Sequence, residues 1–355
     1  MKGKYAFYIL LFVFIFTSCK NDTFLIEGHI SNLTTNKLYL ITYQDKIKID
    51  TVYAQEGKFT YESSSDSVVP ILIRMEEESV WITAWAKNED EVKIEGDVNC
   101  PELIEIEGNE INNLLTEFKI NNKTLIEERC DWVEKKSPDS IIRIGELEKS
   151  LKQEAEKFIQ AHPASIASLV LIQDYLLSNK NQEQISPYLS MIEGEAKKDR
   201  LYLRLNAIVE RYRRTAIGSP APDFSLISEK KDTLSLAAYK DKYVLLTFEA
   251  SWCSVCEEDY NTLADIRKKF PVSRLEIVTV ALDENKDDWN NLAKNKKITW
   301  HQVTDTYGFA SEMISLYNIN TIPNNFLIDK TGIILAKDIP ADSLKTLLNE
   351  KIKNV

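Results

Sequence analysis

The chain has 355 residues, more than one hydrophobic core usually supports, so two or three domains are expected. Its 44% hydrophobic and 28% charged residues are those of a folded globular protein, not a disordered one. The formal net charge of -11 excludes nucleic-acid binding as a class, because no basic surplus exists to neutralise phosphates.

The chain opens MKGKYAFYILLFVFIFTSCK, with Lys2 and Lys4 ahead of an apolar run from Tyr5 to Phe16. That run is too short to span a bilayer and reads as an export signal. Thr17 and Ser18 lead into Cys19, which resembles the lipobox of bacterial lipoproteins, although Phe16 stands where leucine is more usual. The resemblance implies cleavage after residue 18, lipid on Cys19 and a membrane-anchored mature chain. An ordinary secretory signal with an incidental cysteine is the alternative, and it exports the chain as well. Of the five cysteines, Cys100 and Cys130 are then left either to pair with each other or to be buried as thiols.

From Phe24 to about Gly108 short segments alternate with period two, among them FLIEGHI, KLYLITY, KFTYES and EVKIEG, with Asn, Gly, Asp and Ser between them. This predicts an all-β, sandwich-like domain over residues 19–108. In SVWITAWAK, Val80, Ile82, Ala84 and Ala86 form the core face. Trp81 and Trp85 fall on the other, as a ligand platform or, as expected of large aromatics, packed against a neighbouring domain.

Residues 109–216 lose the alternation and take helical spacing, as in IIRIGELEKSLKQEAEKFIQAH and LYLRLNAIVERYRR. They are expected to form a helical connector with a solvated charged face, and Ser165 to cap the helix IASLVLIQDYLL.

Pro220 and Pro222 punctuate the start of a last domain, 217–355. It should run as a hairpin, the apolar strand YVLLTFEA, a helix from about Cys253 to Phe270, the strand LEIVTVAL, a helix near DDWNNLAKN and the strand WHQVTD. A helix in GFASEMISLYN, the strand pair NNFLID and IILAKD, and a terminal helix complete a mixed α/β sheet covered on both faces.

The chemistry concentrates at EASWCSVC, residues 249–256. A structural zinc site needs a second pair of ligands, yet His29, His162 and His301 fall one in each region, so no metal is expected, nor any other cofactor. A Cys-x-x-Cys where a buried strand hands over to a helix instead suits thiol exchange. Unpaired N–H groups and the helix dipole there stabilise a Cys253 thiolate. Cys256, one turn on, is shielded and placed to attack a mixed disulfide.

Together with APDF (Ala221 to Phe224), the VLLTF strand, SWCSVC, Asp259 and TIPNNFLIDKTG, this stretch resembles the TlpA/ResA-like thiol–disulfide oxidoreductases of the thioredoxin superfamily. The resemblance implies a thioredoxin-like fold over 217–355, a redox-active Cys253–Cys256 disulfide and a cis Pro323 beside it. It further implies that Ile322 and Trp252 contact the substrate and that Asp259 helps to move protons. Many relatives carry a buried aspartate at the position of Thr247. Glu249, two residues nearer the pair, either substitutes for it or is a solvated glutamate at the strand end. The layout of lipoprotein signal, β domain, helical spacer and redox domain also resembles lipoproteins of Gram-negative bacteria. It implies a cell-envelope location facing the periplasm or the cell surface, disulfide-bearing exported proteins as substrates and a membrane electron donor.

Reduction is the expected direction, since Glu257, Glu258 and Asp259 disfavour a nearby thiolate and make the pair less oxidising. A peroxiredoxin shares the APDF-like entry, but Ala250 stands where its threonine is usual, and a second cysteine three residues past Cys253 fits exchange better. The rival from another class is a lipid-anchored scaffold with a vestigial redox pair.

Overall fold

The computed structural model describes residues 22–43, 46–75, 80–135, 137–178, 181–227 and 233–353. The expected signal segment and Cys19 lie outside these described residues. The chain divides into two compact units, one reaching to Leu176 with Met191–Asp199, the other comprising Leu177–Ser190 and Arg200–Val355. The segment of helical spacing is therefore shared between the units.

The first unit begins with β1 (Phe24–Ser31), β2 (Lys37–Tyr43), β3 (Ile47–Tyr53), β4 (Lys58–Ser63), β5 (Val69–Met75), β6 (Trp81–Ala86), β7 (Glu91–Asp97) and β8 (Glu105–Glu107). They form two four-stranded sheets in the orders β4-β1-β7-β8 and β3-β2-β5-β6. The period-two residues of both sheets meet in one core, including Phe24, Ile26, Leu38, Leu40, Ile71 and Ile94. Gly28 is needed in β1 because a Cβ there would lie 2.2 Å from the Phe59 ring. The pattern thus gives the expected sandwich-like domain.

The two tryptophans of β6 part company. Trp85 is buried, and its backbone N–H and C=O are both bonded by the carboxamide of Asn112, at 3.0 and 2.9 Å. Asn112 belongs to α1 (Glu110–Asn121), so this unit's own first helix covers Trp85. Trp81 stays about half exposed, with the Arg74 guanidinium 5.0 Å above its ring. The expectation that both pack away is corrected for Trp81, because the covering helix reaches one end of the strand only.

After α1 come α2 (Lys123–Lys135), α3 (Pro138–Ala161) and α4 (Ile166–Leu171). Leu147, Leu151, Ala155 and Ile159 place the buried stripe of α3 at helical spacing. The Ser165 side chain accepts from the Ala167 N–H at the start of α4, as its position suggested. Cys100 and Cys130 are joined in a disulfide that ties α2 to the loop after β7.

The helices α5 (Ser186–Met191) and α6 (Arg200–Arg214) lead toward the second unit's sheet. A short hairpin, β9 (Ser225–Ile227) with β10 (Thr233–Ser235), precedes β11 (Tyr243–Glu249) and α7 (Cys256–Lys269). Then follow β12 (Leu275–Ala281), α8 (Lys286–Asn295), β13 (His301–Thr304), α9 (Glu312–Tyr317), β14 (Asn324–Ile328), β15 (Ile334–Lys337) and α10 (Ala341–Lys353). The sheet order is β13-β12-β11-β14-β15, with β11 parallel to β12 and antiparallel to β14.

Every residue of β11 is buried, which is why its sequence is mostly apolar, with Thr247 and Glu249 the exceptions. Val244, Leu246 and Phe248 face a core that includes Trp289 of α8 and Tyr317 of α9. Tyr243 and Leu245 face Leu263 and Ile266 of α7 and Leu344 and Leu348 of α10. Alternation carries Thr247 and Glu249 onto that second face, toward the end of β11 that meets the cysteine turn.

Candidate active site

Residues 251–255 form a turn between the end of β11 and the first residue of α7, Cys256. The helix starts at Cys256, so the expected start at Cys253 is corrected by three residues. Cys253 N–H donates to the Ala250 carbonyl at 3.2 Å, and Cys256 N–H to the Cys253 carbonyl at 3.1 Å. The second bond closes a tight turn that swings the two side chains together. The sulfurs are bonded, with Cα atoms 5.4 Å apart. Cys253 is 7% exposed and Cys256 fully buried, which leaves Cys253 as the sulfur nearer to a reaction partner.

The turn is anchored by a residue that no sequence motif indicated. Asp283, buried just past β12, accepts from the Ser251 N–H, with Oδ2 at 3.1 Å, and also from the Ser251 hydroxyl. The Leu282 N–H donates to the Glu249 carbonyl at 2.8 Å, and the Tyr260 hydroxyl to the Ala250 carbonyl at 3.1 Å. These bonds hold the first end of the cysteine turn, Glu249 to Ser251, to the end of β12 and to α7. A signal for Asp283 was its place at the C-terminal end of a buried parallel strand, where α/β proteins set their functional loops.

Glu249 is 1% exposed, and neither carboxyl oxygen has a hydrogen-bond partner among the described residues. Burial pushes its carboxyl up to about 8, and the charge of Asp259 adds to it. The alternative of a solvated strand-end glutamate is thereby overturned, because packing excludes water from the end of β11 where Glu249 lies, with Asp259 and Tyr260 of α7 nearby. Thr247 is buried too, its hydroxyl paired with that of Thr279 at 2.8 Å across β11 and β12.

The Ile322–Pro323 peptide bond is cis. Ile322 packs against the apolar cluster that contains Cys253 and Cys256, and Pro323 lines a cleft together with Asp259. Trp252 is 60% exposed, and its ring centroid lies 6.4 Å from that of Phe309, which is also exposed. The structure thus brings the pair, Trp252, Glu249, Asp259 and the Ile322–Pro323 loop into one part of one unit. Lys296 forms an ion pair with Glu257, which offsets one of the acids at the helix start. No cluster of side chains suited to a metal ion occurs among the described residues.

Comparison with known proteins matches residues 217–337 to the AhpC/TSA family. The C-terminal part of the chain is a thioredoxin-like domain that matches that family over these residues. Residues 24–115 match a domain of unknown function, DUF4369. The thiol-disulfide oxidoreductase ResA of Bacillus thuringiensis is 28% identical over 139 residues, which cover 39% of this chain and 78% of that protein. ResA of Geobacillus kaustophilus is 32% identical over 117 residues, 33% of this chain and 66% of the relative. A thiol-disulfide oxidoreductase of Bacteroides fragilis of solved structure is 35% identical, covering 38% of this chain and 99% of that one, at a TM-score of 0.36. The thioredoxin-like domain, its Cys253–Cys256 disulfide and these relatives make the chain a thiol–disulfide oxidoreductase.

Proposed function

We propose that the protein is exported, anchored by lipid on Cys19, and reduces disulfides of other exported proteins at the Gram-negative cell envelope. Its parts are a β-sandwich-like domain to residue 108, a helical connector to 216 and the redox domain from 217. The observation that carries the reading is the asymmetry of the pair. Cys253 lies at the margin of the surface beside exposed Trp252, while Cys256 is fully buried behind it.

In the reducing direction the Cys253 thiolate attacks a substrate disulfide and forms a mixed disulfide. The displaced substrate sulfur leaves as a thiolate and takes a proton. The Cys256 thiolate then attacks the Cys253 sulfur, forms the Cys253–Cys256 disulfide and releases the second substrate sulfur. The substrate gains two electrons and two protons, and the dithiol loses them. A membrane electron donor restores the dithiol. Asp259 and the buried Glu249 take up and return the Cys256 proton, while Trp252 and the backbone edge at Ile322 hold the substrate chain.

The test is the equilibrium of the pair in graded glutathione or dithiothreitol buffers, read by thiol alkylation, with Cys256→Ser to trap the mixed disulfide. A potential near that of thioredoxin, about -270 mV, supports a reductase. One near about -120 mV reverses the direction. A pair that never titrates leaves the lipid-anchored scaffold.

A further inference from the structure

The helix α6 lies ahead of the region 217–337 that matches the AhpC/TSA family, yet it belongs to the same compact unit. Leu201, Leu205 and Val209 bury one stripe of it. Its last turn is tied down, since the Ser219 hydroxyl donates to the Arg213 carbonyl at 3.1 Å and the Arg213 Nε donates to Glu183 at 2.9 Å. Glu183 belongs to the short helical turn Gln182–Ile185, whose Gln182 accepts from the Asn318 carboxamide at 3.0 Å. The segment before the catalytic fold is therefore fastened to the loop that leads to Pro323.

This fastening sets Tyr212 opposite the site. A cleft of about 780 Å3 is lined by Tyr212, Asp259, Asn320, Thr321, Pro323 and Lys337, among others. The Lys337 ammonium sits 4.2 Å from the centre of the Tyr212 ring, so the two side chains make one wall. The Thr321–Pro323 loop makes another. Asn324 also lines the cleft, its NH2 donating to Asp338 while its carboxamide oxygen is buried with no partner among the described residues.

The lining mixes carboxamides, a hydroxyl, one cation and the carboxylates of Asp259 and Asp338 with apolar Pro323, Ile339 and Pro340 around a single aromatic face. An extended polypeptide meets those demands, because its backbone offers N–H donors and carbonyl acceptors at regular intervals. We propose that Tyr212 and Lys337 form a specificity wall for the segment that flanks the substrate cysteine, selecting protein disulfides with extended flanks over small disulfides. The proposal rests on the exchange reading above and assigns selection to a helix outside the catalytic fold.

The test compares wild type, Tyr212→Ala, Tyr212→Phe and Lys337→Gln on two probes. One is hydroxyethyl disulfide, too small to fill the cleft. The other is a disulfide-linked pair of peptides of about ten residues rich in Ser, Thr and Asn. Tyr212→Ala should raise KM for the peptide about tenfold, the effect of ~1.4 kcal/mol, with kcat and hydroxyethyl disulfide turnover within about twofold. Tyr212→Phe keeps the ring and should stay near wild type. Lys337→Gln should raise the peptide KM alone. Equal losses on both probes, or an unchanged peptide KM in both Tyr212→Ala and Lys337→Gln, would overturn the wall. A wild-type protein that cannot turn over hydroxyethyl disulfide would instead overturn the exchange reading, and this inference with it.

Discussion

Replacing Glu249 by glutamine tests the least expected feature of the site. The folded carboxyl titrates at about 8 against an ordinary 4.5, because burial disfavours its charged form. Between those values the folded state holds one proton more than the unfolded state, so stability must fall as pH rises. The contribution is intact below pH 4.5 and is lost as pH passes through 8. At 1.36 kcal/mol per unit the ceiling is roughly 4–5 kcal/mol, with roughly 3 of it lost by pH 7. Relaxation of the site lowers these figures. Glu249→Gln keeps the shape and removes the titration, so its stability should depend less on pH, by up to about 1.4 kcal/mol per unit between pH 5 and 8. The variant should be the more stable protein at pH 8 and lose that advantage near pH 5. The assay is urea unfolding of the oxidised protein, read by hydrogen exchange in β11 so that the signal isolates this unit from the other. Parallel pH profiles for the two proteins would refute the reasoning, as would a Glu249 carboxyl carbon resonance that titrates near 4.5.

Two further outcomes follow from the fold. The Cys100–Cys130 disulfide spans a sequence separation of 30, for which loop-closure entropy gives about 3–4 kcal/mol, so replacing both cysteines by alanine should cost about that in urea unfolding followed in β7. The redox equilibrium of Cys253–Cys256 should stay unchanged in the same variant, and a shifted equilibrium would contradict this. Asp283→Ala leaves the Ser251 N–H without its acceptor, which should cost about 1–3 kcal/mol and abolish exchange protection of that amide. Retained protection would mean that the turn does not depend on Asp283.

Much of the architecture was legible in the residues themselves. Period-two alternation marked the sandwich strands, and the mostly apolar run of YVLLTFE marked a strand buried on both faces. Ser165 announced its helix, and the spacing of Cys253 and Cys256 after that strand announced exchange chemistry. These features are local, since backbone geometry relates each residue to its near neighbours whatever the rest of the chain does. Sequence pattern places Thr247 and Glu249 on one face of β11 and Trp81 and Trp85 on one face of β6, but it does not say what covers those faces. Only tertiary packing buried Glu249 beside α7 and turned a strand-end glutamate into a buried carboxyl of raised pKa. Packing also put α1 over Trp85 and not Trp81, joined Cys100 to Cys130, brought Asp283 to Ser251 and set Tyr212 against Lys337. Each of these depends on two segments that are distant along the chain. Their meeting is decided by how whole faces bury together, which no stretch of sequence records alone.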